Sequence, residues 1–143
     1  LGESKLSEVI TNKHLGYEVS ILHKAKLGTK LVDLRIVVSK HVVPYYPTSV
    51  GVIAGLTGEM AADIGKALSE VVAEMERGVP ALSKKPKIGP YSVGIKPFLE
   101  DMLEITFEFR PRLGEPWEQM YQAIRLYITR EDAKRLGNYL AGI

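Results

Sequence analysis

Cysteine is absent from the 143 residues, so neither disulfide cross-links nor thiolate chemistry can contribute to stability or function. No apolar run approaches the roughly 20 residues needed to cross a bilayer, so no membrane partner is expected. The formal net charge is only +2, too small to imply a polyanionic partner unaided. The opening stretch, LGESKLSEV, lacks the apolar centre of a signal peptide. The chain does not open on methionine, as a fragment or a processed chain would not.

Reaction motifs are missing as well. His14, His23 and His41 are far apart, and none has the local partner of a zinc motif, so packing roles are expected and no metal. There is no Gly-x-Ser-x-Gly elbow. The run GVIAGLTG at 51–58 shares only its glycines with a phosphate-cradling loop. It lacks the Lys-Ser/Thr ending of a P-loop, and close backbone packing is the better reading. Glu104 and Glu108 could form a catalytic carboxylate pair, but their spacing suits cross-strand pairing with Arg35 or Arg125 better. A non-enzymatic protein without a cofactor is the expectation.

What is present is ordinary for a globular chain, 45% hydrophobic and 25% charged, and argues against overall disorder. The length suits one domain over residues 1–143. Many lysines, arginines and glutamates without cysteine are compatible with an intracellular protein from a hot environment, hence a cytoplasmic location.

The clearest element is residues 57–78, TGEMAADIGKALSEVVAEMERG. Met60, Ile64, Ala67, Leu68, Val71, Val72 and Met75 recur every three or four residues, which puts them on one side of a helix. Thr57 is placed to cap it, Gly78 to stop it, and Pro80 to prevent its resumption. Five acidic and two basic side chains give this helix a charge of −3, so the remainder of the chain carries +5.

Residues 4–11 read as a short helix facing inward through Leu6, Val9 and Ile10. Residues 17–27 and 31–43 alternate with period two and read as a hairpin. Val32, Leu34, Ile36, Val38 and Val42 should be buried there, with Asp33, Arg35, Val37, Ser39 and His41 outward. Pro44 and Pro47 should end the pairing. Residues 48–56 fit either a first helical segment or an apolar loop. Residues 80–90 read as a loop.

Residues 91–97, 101–110 and 124–128 read as strands, with Tyr91, Val93 and Ile95 on one face of the first, and Leu103, Ile105, Phe107, Phe109, Ile124, Leu126 and Ile128 inside in the other two. Residues 117–122 fit a helical turn or the entry to a strand. Thr129 should cap a final helix to about residue 140. The order β-β-α-β-β-β-α makes this an α+β domain: a mostly antiparallel sheet of about five strands packed on one long central helix, with a C-terminal helix. Strands followed by a helix occur twice, but the halves show no obvious shared pattern.

Basic charge interleaved with aromatics remains. Lys24, Lys26, Arg35, Arg110, Arg125 and Tyr127 are expected on the non-core face of the sheet. Lys84, Lys85, Lys87 and Tyr91 lie on or beside a loop, and Tyr45, Tyr46 and Trp117 sit near prolines. Cations that follow phosphates and rings that stack on bases together bind single-stranded nucleic acid.

In size, absence of cysteine, mixed strand–helix order and composition, the chain resembles the single-stranded DNA-binding proteins of thermophilic archaea of the ThermoDBP kind. That resemblance implies DNA bound in a cleft of aromatic and basic residues. The expected partner is therefore single-stranded DNA or RNA. The alternative is an assembly or adaptor module, a homodimer or a protein-binding surface, formed by the Tyr45-Tyr46 loop or the Val37 side of the sheet.

Overall fold

The computed structural model describes residues 4–25, 32–43, 46–78, 83–88, 91–109 and 122–143. Where apolar and polar residues alternate strictly, the chain pleats as expected: Val19, Ile21, Ile36, Val38, Val93, Ile95, Leu103, Ile105, Phe107, Ile124, Leu126 and Ile128 are all buried. The strands are β1 Ser4–Asn12, β2 Tyr17–Ala25, β3 Val32–Val43, β4 Tyr46–Leu56, β5 Lys87–Ile88, β6 Tyr91–Leu99, β7 Met102–Phe109 and β8 Gln122–Thr129. The helices are α1 Gly58–Glu76, after β4, and α2 Arg130–Ala141, after β8.

The α+β class stands, and the finer arrangement differs. The strands form two antiparallel sheets, ordered β1-β2-β3-β4 and β5-β6-β7-β8, in place of one sheet of about five strands. Two helices that pack on each other replace the single central helix.

Irregular strands explain what the sequence pattern concealed. Residues 4–11 belong to β1, not to a helix. The register shifts between Glu8 and Ile10, so Val9 is an extra residue and both Val9 and Ile10 reach the core. A bulge of this kind imitates helical spacing. Residues 48–56 belong to β4, whose pairing with β3 also shifts, between Leu34 and Ile36, and breaks the alternation. Pro47 does not end the pairing: it sits opposite His41, and Tyr46 opposite Val43. β4 is an edge strand of its sheet, where a missing N–H is tolerated. Within residues 80–90, Lys84 exchanges two backbone hydrogen bonds with Ile95, of 2.8 and 2.9 Å, and β5 pairs with the start of β6.

The molecule is a ββββα unit repeated. Counted from their caps, both helices read Thr-x-Glu-x-Ala-x-x-(Ile/Leu)-Gly-x-x-Leu, at 57–68 and 129–140. β2 and β6 both begin Tyr-x-Val-x-Ile, at 17–21 and 91–95. The registers match too. Val19 opposes Val38 and Ile21 opposes Ile36, as Val93 opposes Phe107 and Ile95 opposes Ile105. The two halves therefore do share a sequence pattern, although it is too sparse to be obvious without the matched registers.

Equivalent positions meet at the centre, as a two-fold relation requires. A Cβ on Gly65 would lie 2.6 Å from the Gly137 carbonyl oxygen, and a Cβ on Gly137 would lie 3.1 Å from that of Gly65. Only hydrogen at both positions lets the helix backbones approach this closely. Gly51 and Ile124, also equivalent by register, touch between β4 and β8.

The helices are capped as expected. Thr57 Oγ1 accepts from Met60 N–H at 3.2 Å, and Thr129 Oγ1 from Asp132 N–H at 3.1 Å. Each helix also packs on the other repeat's sheet, α1 against β6 and α2 against β1. Arg135 Nη2 donates to the Val9 carbonyl at 2.9 Å, and the buried Tyr17 hydroxyl donates to the Asp132 carboxylate. Across the other crossing, Lys84 Nζ lies 3.7 and 3.8 Å from Glu70 and Glu74 of α1. Part of the negative charge of α1 is thus matched locally. Among the described residues, no helix is long and apolar enough to cross a membrane.

Candidate functional site

The outer face of the second sheet is polar because β6, β7 and β8 alternate in phase. Their inward positions are apolar and buried, so the intervening positions share the opposite side. Register arranges these in three cross-strand rows: Ser92–Glu108–Ala123, Gly94–Thr106–Arg125 and Lys96–Glu104–Tyr127. Gly94 has no side chain to raise the middle row, and a groove of about 220 Å³ lies over it. Its lining holds four cations, Lys84, Lys85, Lys96 and Arg125, against two carboxylates, Glu104 and Glu108. Lys85 reaches over the floor, with Cε 3.9 Å from where a Cβ of Gly94 would stand.

Glu104 joins two rows electrostatically. Lys96 Nζ is 3.6 Å and Arg125 Nε is 3.5 Å from the same oxygen, Oε1. At the Tyr127 end of that row, the Phe98 and Tyr127 rings have centroids 4.4 Å apart and are tilted by 45°. Phe98 is 47% exposed, large for a phenylalanine outside the core. The face therefore offers cations, hydroxyl groups from Ser92 and Thr106, and a ring pair whose Phe98 member faces solvent.

Of the residues named from sequence, Lys84, Lys85 and Arg125 line this groove, and Tyr127 belongs to the adjoining ring pair. Lys87 lies in β5 and Tyr91 in β6 of the same sheet, Tyr91 at the register position that shares a face with Val93 and Ile95. Lys24, Arg35 and Tyr46 lie in β2, β3 and β4 of the other sheet, so they do not share a face with Arg125 and Tyr127. For the same reason Glu104 pairs with Arg125 and not with Arg35. Lys26, Tyr45, Arg110 and Trp117 lie outside the described residues.

Lys96 and Phe98 were missed. Both continue the alternation of Ser92 and Gly94: Lys96 falls within the strand read over 91–97, and Phe98 falls just past it, where β6 runs on to Leu99. Among the described residues, no group of three His, Asp or Glu side chains gathers to hold a metal ion.

No family model, no curated protein and no solved structure matches the chain.

Proposed function

We propose that the protein is a non-enzymatic binder of single-stranded nucleic acid, received across the outer face of the second sheet. One observation carries this reading: the exposed Phe98 ring, packed on the half-buried Tyr127 ring, borders a groove lined by four cations and two carboxylates. Lys85, Lys96 and Arg125 would follow the phosphates, while the rings take the flat faces of bases. The thermophilic archaeal single-stranded DNA-binding proteins remain the proposed kinship.

The shape favours a strand over a small metabolite. A groove of about 220 Å³ falls below the roughly 300–1,000 Å³ typical of small-molecule sites. A strand needs no enclosure, since it drapes over an open platform. Fluorescence anisotropy with labelled single strands tests the reading. Three phosphate contacts give an expected slope of about −2 in log affinity against log salt, at about −0.7 per contact. Absence of binding to every single strand at low salt would overturn it.

A second reading draws on the other sheet. Leu22 and Val37 occupy the positions equivalent to Lys96 and Thr106, and the nearby Val50 is 53% exposed. Apolar residues where the second sheet is polar suit contact with protein, in a homodimer or an adaptor role. Pull-downs with and without nuclease, alongside light scattering, distinguish this from assembly on nucleic acid.

A further inference from the structure

Glu104 is out of place on a face that receives an anion. Its side chain is only 11% exposed, yet it lines the groove. A carboxylate so placed is costly unless charge compensates it, and here Lys96 and Arg125 both do. Both approach Oε1. The row Lys96–Glu104–Tyr127 sets this carboxylate directly beside the stacking ring. A base lying on the Phe98–Tyr127 pair would bring its edge to Glu104.

We infer that Glu104 reads that edge and selects guanine, an inference that rests on the single-strand reading above. A carboxylate only accepts hydrogen bonds. Guanine presents two adjacent donors, N1–H and the N2 amino group, which match two carboxylate oxygens side by side. Cytosine and adenine present one amino group beside a ring nitrogen that is an acceptor, and this would face the second oxygen. Thymine and uracil present one N–H between two carbonyls, the worst match. Lys96 and Arg125 hold the Glu104 side chain in place and offset its charge as phosphates arrive.

The test compares labelled oligomers of about 12 nucleotides, oligothymidine against alternating thymidine–guanosine, at one fixed salt concentration. The wild-type protein should bind the guanine-containing strand about tenfold more tightly, the scale of one good bidentate base contact. Glu104→Gln should bring the two affinities within about twofold of each other by weakening the guanine-containing strand, because a carboxamide no longer offers two acceptors side by side. Equal wild-type affinities, or a preference that survives Glu104→Gln, would overturn the assignment of guanine to Glu104 and leave strand binding intact. No binding to either strand would overturn both. The wild-type comparison stands even if the variant fails to fold.

Discussion

Tyr17 shows how one side chain fastens the two repeats together. Its ring is buried in the first sheet, while its hydroxyl donates to Asp132 and lies 3.4 Å from the Thr129 N–H, both at the start of α2. Burial first, and the Asp132 carboxylate second, push its pKa up from 10 to about 12. The folded protein thus disfavours tyrosinate more than the unfolded chain does. Its contribution to stability is complete below pH 10 and is lost as pH rises from 10 to 12. Alkaline denaturation of Tyr17→Phe should lack that component. At neutral pH this variant should be destabilised by about 1–2 kcal/mol, because Asp132 loses a buried donor. On the outer face of the second sheet, Phe98→Ala and Tyr127→Ala should each weaken strand binding by about 1–3 kcal/mol per stacked base and leave the melting temperature nearly unchanged. Equilibrium binding and thermal melts check both halves of that expectation.

The helix crossing is the element on which the architecture turns. Gly65→Ala would drive a methyl group to 2.6 Å from the Gly137 carbonyl oxygen and 2.7 Å from the Ala141 nitrogen. These are backbone atoms of a packed helix and cannot step aside. Chemical denaturation should show a loss of about 1–3 kcal/mol or more, as for other overpacked cores. Gly94→Ala is the contrasting case: its nearest contacts would be 3.8 and 3.9 Å, ordinary separations. It should keep the protein's stability while filling the groove floor.

The same elements show what could be read from sequence. α1 and α2 were legible in their caps and stripes, and β2, β3, β6, β7 and β8 in their alternation. β1 and β4 were not, because bulges disturb the period on which a strand is recognised. The glycines at 65 and 137 lay in view. Their significance depends on a contact between residues 72 positions apart, which no local period reveals.

For the whole molecule, the consequential fact is that each helix leans on the opposite repeat. α1 packs against β6 and α2 against β1, so neither repeat can bury its apolar face alone. Both sheets should therefore open together. Native-state hydrogen exchange should give the central strands β2 and β7 the same global opening free energy, and separate values would refute the exchange. Sheet membership also explains why the site was only half legible. The cations and rings were all visible, but nothing local announces that Arg35 and Arg125 belong to different sheets, or that Lys96 and Phe98 join Tyr127. The acid charge of α1 does not stand apart from the basic charge: Lys84 and Lys134 each pair with it. The most direct test of the proposed interface is a nuclear magnetic resonance titration of isotope-labelled protein with a short single strand at low salt. Amide shifts should concentrate at Ser92, Gly94, Lys96, Thr106, Arg125 and Tyr127, and fade as salt is raised. Shifts confined to β1–β4 or to the helices, or no shifts at all, would contradict the account.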